Sequence, residues 1–337
     1  MKILYILGNG FDKAQGMKTS YPEFYQYLMK KTDNGSALLQ QLKREINDNN
    51  ELWSDMELAL GEFTSHIQST SDFDSLYYEL SDHLQDYLRS EEEMFLPTKE
   101  LKSKFKEDVI NPFVYLENDD KAICKRTIIN EQLNTSTQEI SVITFNYTNT
   151  IEKLVLPMHL VENQDIDKVD YDYSIDESHV LKQIIHVHGR LGDSIIIGVD
   201  NENQIKNSAF RVNEDIKDLL VKEQSNRVMG YARHNQCRKL IADADLIILY
   251  GLSLGETDSH WWKQIGKKFS MGKLVIIQHL YDPNFIKVTP NRKQRLGRID
   301  RNRRNFIMKK MSVYESEFSN GTKERLFFVT NSDIFKL

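Results

Sequence analysis

Lys2-Ile3-Leu4-Tyr5-Ile6-Leu7 runs directly into Gly8-Asn9-Gly10-Phe11-Asp12, and this stretch decides the fold class. An apolar run ending in a Gly-x-Gly turn is how α/β folds carry backbone amides up to a phosphate at the carboxyl end of a strand. In this reading Gly8 takes the positive φ of a tight turn, and Gly10 keeps a side chain out of a ligand's way. The third glycine of the dinucleotide-binding fingerprint is absent, so the turn gains meaning only from segments that repeat it.

Three segments do. Ile140–Phe145 leads into Asn146-Tyr147-Thr148-Asn149, Gln183–Val187 into His188-Gly189, and Asp245–Tyr250 into Gly251-Leu252-Ser253-Leu254-Gly255. Ile195–Gly198 and Leu274–Gln278 read as further short strands. Near-continuous apolar runs of this kind suit strands buried on both faces, hence a parallel sheet between helices. Thr148 or Asn149 is expected to cap the helix after the second strand, and Asp258 the helix through Phe269. The chain between the first two strands has a different period. Ser20-Tyr21-Pro22-Glu23 is a capping box, and Leu38/Leu39/Leu42/Ile46 and Met56/Leu60/Phe63/Ile67 are spaced as on helices. Four or five helices are expected from Tyr21 to about Leu116, with Trp53 and Met56 in their core. The expected class is α/β: a Rossmann-like domain of residues 1–19 and 136–337, split by a helical insertion domain at 20–135. Asn163–Ser178 reads as an exposed loop.

With 40% apolar residues in 337, the chain can bury a real core. The net charge of −6 is uneven: 287–310 holds ten Lys/Arg against Asp300 alone, or +9, leaving −15 elsewhere. Such a block suits an anion contact, or a helix face solvated or resting on the acidic body. Cys124 and Cys237 make neither a disulfide framework nor a four-cysteine zinc site. The first apolar run is too short for a signal peptide, and no stretch approaches a membrane span. These features point to a soluble, cytoplasmic protein.

LYILGNGFDKAQGMKTSY at 4–21, LWSDMELALG at 52–61, TFNYTNTIE at 144–152, IIHVHGRLGD at 184–193 and YGLSLGETD at 250–258 together resemble the abortive-infection AbiH family of anti-phage proteins. That family in turn resembles sirtuin-like domains, which are Rossmann-type NAD-binding folds. The resemblance implies a cofactor site of Gly8, Asn9, Gly10, Phe11, Asp12, Gly251, Ser253 and Asp258, with Asn146 and His188 at the reactive positions. It implies NAD as substrate; no metal is expected, because the histidines at 186 and 188 have no third ligand at informative spacing. Two departures matter. The sirtuin zinc module has no counterpart, which argues against deacetylation, and Thr148 stands where an acid commonly follows the Asn.

Cleavage of the nicotinamide–ribose bond fits this residue set. The leaving ring departs neutral, so the protein need only stabilise positive charge on the ribose and place a water. His188 is the expected base and Asn146 the group that holds the water. Glu57 ranks first among carboxylates near the ring, ahead of Asp12 and Asp258. Each has a plainer reading: Asp12 and Asp258 as helix caps, Asn146 as a loop tie, Glu57 as an exposed helix residue. His186 and His188 would share one strand face, a spacing that invites a metal, with Asp193 as the only further candidate ligand. Gly251–Gly255 also matches the G-x-S-x-G nucleophile elbow, yet no histidine follows Asp282.

The leading expectation is an anti-phage effector that hydrolyses NAD, restrained by homo-oligomerisation, a phage trigger or a partner protein of the defence system. A non-catalytic nucleotide-binding or scaffold module, and an effector directed to nucleic acid through 287–310, are the alternatives.

Overall fold

Side chains alternate across a strand, and in the first strand both sets are buried. Ile3, Tyr5 and Leu7 enter one hydrophobic cluster, and Leu4 and Ile6 another. Only a central strand of a sheet covered on both faces has this property. A computed structural model describes residues 1–31, 35–49, 51–129, 137–156, 173–176, 178–283, 293–313 and 324–337. The strands are β1 (Lys2–Leu7), β2 (Gln138–Thr144), β3 (Tyr173–Ser174), β4 (His179–His186), β5 (Leu246–Tyr250), β6 (Val275–Leu280) and β7 (Leu326–Thr330). They form one sheet in the order β3-β4-β2-β1-β5-β6-β7. β3 is an antiparallel edge, and the other six strands run parallel. Counted along the chain, those six lie in the doubly wound order 3-2-1-4-5-6. The parallel, Rossmann-like class expected from the sequence is the one found.

The register decides where the loops emerge. Leu7 lies opposite Thr144 and Tyr250, Thr144 opposite His186, and Tyr250 opposite His279. The four loops of interest therefore leave the sheet from one row. β1 and β5 flank the topological switch point, where a doubly wound sheet leaves a crevice.

One face of the sheet carries the helices Lys99–Ile110 and Thr150–Val155 with Ile334 and Phe335. The other carries Arg233–Asp243, Ser259–Ser270 and Lys293–Lys310. A third cluster joins the helices Tyr21–Lys30, Ala37–Asp48, Met56–Phe63 and Thr70–Met94 to Tyr147 and to residues between Leu191 and Val221. Trp53 and Met56 are in that core. The capping box is present, with the Glu23 carboxylate accepting from Ser20 N–H and Oγ–H.

Several local expectations change. Ile195–Gly198 joins no strand ladder. Ile196 N–H donates to His188 O at 2.8 Å and Ile197 N–H to Tyr77 Oη at 3.2 Å, so loop and side chain take the place of a neighbouring strand. Neither Thr148 nor Asn149 caps the next helix with its side chain, because Thr148 turns to Asp12 and Asn149 to Glu92. β7 had no counterpart in the sequence reading. Of the loop expected at 163–178, Tyr173–Ser174 is strand, while 163–172 and 177 lie outside the described residues. Among the described residues no helix is long and apolar enough to cross a membrane.

Candidate functional site

The two glycine loops are pressed against each other at the switch point. Gly8 N–H donates to Tyr250 O at 3.0 Å, and Gly10 N–H to Gly251 O at 2.9 Å. A Cβ on Gly10 would lie 2.5 Å from Gly251 Cα, and one on Gly8 2.7 Å from Gly251 O. This corrects the first reading of both glycines. Gly251, with φ 68°, takes the left-handed turn, and Gly8 does not. Gly10 is small so that the second loop can approach, and its amide and that of Phe11 are spent inside the protein. Phe11 is fully buried against Phe105, Tyr250 and Phe335, so it is a core residue behind the loop.

Above the loops lies a cavity of about 610 Å³. Gly8, Asn9, Asp12, Glu57, Asn146, His188, Gly251, Ser253 and Asp258, all expected site residues, line it. Gly10 and Phe11 do not. The helical layer closes one side through Tyr21, Asp55 and Leu88.

Asn146 and Asp12 form one part of the wall. Thr148 Oγ–H donates to Asp12 Oδ2 at 2.6 Å, so Asp12 brings a carboxylate to the loop position where the sequence offered only a threonine. Burial pushes the Asp12 carboxyl up to about 6, against the opposing pull of Thr148, Thr150, Asn146 and His186. Asp12 Oδ1 and Asn146 Nδ2 are buried without a hydrogen-bond partner of ordinary geometry. The Asn146 backbone is held from behind. His186 Nδ1 lies 2.8 Å from Asn146 O, and Nε2 lies 2.8 Å from Glu152 Oε1, which also accepts from Arg190 at 3.2 Å. Both ring nitrogens face acceptors. Burial opposes the Glu152 carboxylate, yet His186 and Arg190 hold its pKa below the usual range.

His188 takes another direction. β4 ends at His186, and the turn after it sends the two imidazoles to different partners rather than to a shared face. His188 Nε2 lies 2.7 Å from Asp258 Oδ1, edge-on to Phe145. The carboxylate fixes the proton on Nε2 and leaves Nδ1 a lone pair, buried and unpartnered. Burial, reinforced by Lys222, pushes the imidazole down to about 4, so the ring is neutral at pH 7. Asp258 occupies the N-cap position expected of it, but its side chain caps nothing. It serves His188 and Lys222 instead.

Lys222 is the residue that sequence reasoning missed. Fully buried, its Nζ donates to Glu57 Oε2 at 2.7 Å, Asp258 Oδ1 at 3.0 Å and Thr257 O at 3.1 Å. Burial works against its charge, but Asp258 and Glu57 hold its pKa well above the usual lysine value. The same ammonium, with His188, keeps Asp258 well below the carboxylate range despite burial. Burial raises Glu57, with Lys222 pulling the other way. Glu57 is therefore no exposed helix residue: it is 5% exposed and anchors the lysine. No motif surrounds Lys222, and only the fold brings it to this site.

The competing chemistries find less support. Ser253 is exposed and Leu254, not the serine, has the positive φ of 55°. His260 pairs with Asp200. Among the described residues no group of three or more His, Cys, Asp or Glu is arranged to hold a metal.

The sequence model for bacteriophage abortive infection AbiH proteins matches residues 4–278. The chain belongs to the AbiH family. It is thus a phage abortive-infection defence protein by family. No curated protein matches it. The AbiH span contains both glycine loops, Asn146, His188, Lys222 and Asp258. It stops inside β6, short of two further wall residues of the cavity, Phe306 and Lys310.

Proposed function

We propose that this AbiH protein binds NAD⁺ across the switch point and hydrolyses the bond between nicotinamide and ribose. One observation carries the reading. Asp12, Asn146 and His188 line one cavity of about 610 Å³, a volume typical of small-molecule sites, and the buried His188 Nδ1 has no hydrogen-bond partner within the protein. An unmatched buried nitrogen on a cavity-lining imidazole is what a polar ligand would satisfy.

The residues divide the work. Asn146 orients a water through its carboxamide, on a backbone fixed by His186. His188 Nδ1 takes the water's proton, and Asp258 steadies the imidazolium that forms. The Asp12 carboxylate stabilises positive charge on the ribose. Glu57 and Lys222 act behind them, holding Asp258. The water oxygen joins C1′ as the C1′–N bond breaks; the bonding pair passes to the ring nitrogen and the ring leaves neutral. Products are nicotinamide, ADP-ribose and one proton. Because the bond breaks largely before the water attacks, a weak base suffices.

Purified protein incubated with NAD⁺ tests this. Release of nicotinamide and ADP-ribose, lost in His188→Ala and Asn146→Ala, is the expected result. Binding without turnover would replace the enzyme by a nucleotide-binding module. Affinity for nucleic acid that falls steeply with salt would move the activity to the basic segment. There, Arg303 is hydrogen-bonded to Thr330 and Arg304 to Asp300 and Leu326 O, while Arg298 and Arg301 are exposed.

A further inference from the structure

In a doubly wound sheet each half receives one end of a dinucleotide. Asn146 and His188 follow β2 and β4, so the reacting ribose belongs to the half built from β1, β2 and β4. The adenosine end then falls to the half built from β5, β6 and β7. The cavity wall there includes Gly251–Glu256, after β5, and two residues of the helix between β6 and β7, Phe306 and Lys310; Thr257, Asp258 and Trp262 line the part nearer His188. Phe306 is 50% exposed on a helix whose neighbours Ile307 and Met308 are buried, so this ring is presented to the cavity edge rather than to the core. Lys310 Nζ lies 2.5 Å from Glu256 Oε1 and 5.9 Å from the Phe306 ring centroid. An aromatic face, a carboxylate and an ammonium thus meet at one rim.

Resting on the reading above, we propose that Phe306, Glu256 and Lys310 form the adenosine subsite of this cavity and select a dinucleotide with a free 2′-hydroxyl. Phe306 stacks on the base. Glu256 accepts a hydrogen bond from the ribose hydroxyl, and Lys310 holds the carboxylate in place. A 2′-phosphate has no hydroxyl to donate to the Glu256 carboxylate and would have to break the Glu256–Lys310 pair to find a cation.

Calorimetric titration of the full chain with ADP-ribose and with its 2′-phosphate tests the subsite without turnover. The wild type should bind ADP-ribose at least tenfold more tightly than the phosphate. Phe306→Ala should weaken ADP-ribose binding about tenfold or more, the range for losing one base–aromatic stack, and Phe306→Trp should restore it. Glu256→Gln should narrow the preference between the two ligands. Equal affinity for both ligands, unaltered binding in Phe306→Ala, or no binding of ADP-ribose overturns the subsite. The two proposals fail separately. NAD⁺ cleavage with Phe306→Ala binding normally leaves hydrolysis standing and removes the subsite. Phe306-dependent binding without cleavage does the reverse.

Discussion

Asp12→Asn should make the protein more stable and less active. Asp12 is 1% exposed, and burial raises its carboxyl from 3.8 to about 6. The folded protein therefore keeps a proton that the unfolded chain releases between about pH 4 and 6. By linkage, wild-type stability falls as pH rises through that window and does not recover above it. At about 1.4 kcal/mol per pKa unit, the buried charge costs the wild type about 3 kcal/mol at pH 8. Asparagine has the same shape and no charge to bury, and it can still accept from Thr148. Urea unfolding followed by tryptophan fluorescence, with Trp53, Trp261 and Trp262 as buried reporters, measures the difference. The variant should match the wild type below pH 4 and exceed it by about 3 kcal/mol at pH 8. NAD⁺ cleavage should fall about 100-fold, the scale of losing one charge-stabilising group. A variant no more stable at pH 8, or a difference independent of pH, would refute the argument.

The same groups predict the pH profile. Cleavage should rise through about pH 6 as Asp12 ionises and stay level to pH 8, because His188, held near 4, is already neutral; a rate that falls between pH 5 and 7 would count against these roles. Lys222→Met leaves Glu57 and Asp258 facing each other without their shared cation, and should cost about 3–5 kcal/mol in denaturant unfolding. Adding Glu57→Gln should return part of it, and strictly additive losses would show that the three groups are not coupled. Gly10→Ala must separate two loops whose atoms leave 2.5 Å for the new carbon, and should cost about 2 kcal/mol or more. Gly255→Ala, with its nearest neighbour 3.7 Å away, should stay within about 1 kcal/mol by thermal unfolding.

Sequence alone determined what is local. An apolar run and the turn that ends it lie within a dozen residues, so β1, β2, β4 and β5 and their loops were legible, as were the capping box at Ser20 and the period of the first helices. So was the gathering of those loops at one rim, because parallel strands all present the same end. Tertiary structure decided the chemistry of each side chain. Gly8 and Gly10 looked like ligand-contacting glycines, but their smallness answers to Gly251, some 240 residues away in sequence. His186 and His188 looked equivalent by alternation, until the strand ended between them. Glu57 and Lys222, 165 residues apart, form an ion pair that no motif announces. Backbone propensity acts over neighbouring residues. A buried charge, by contrast, is tolerated only where a distant partner arrives to neutralise it, and the fold alone brings that partner.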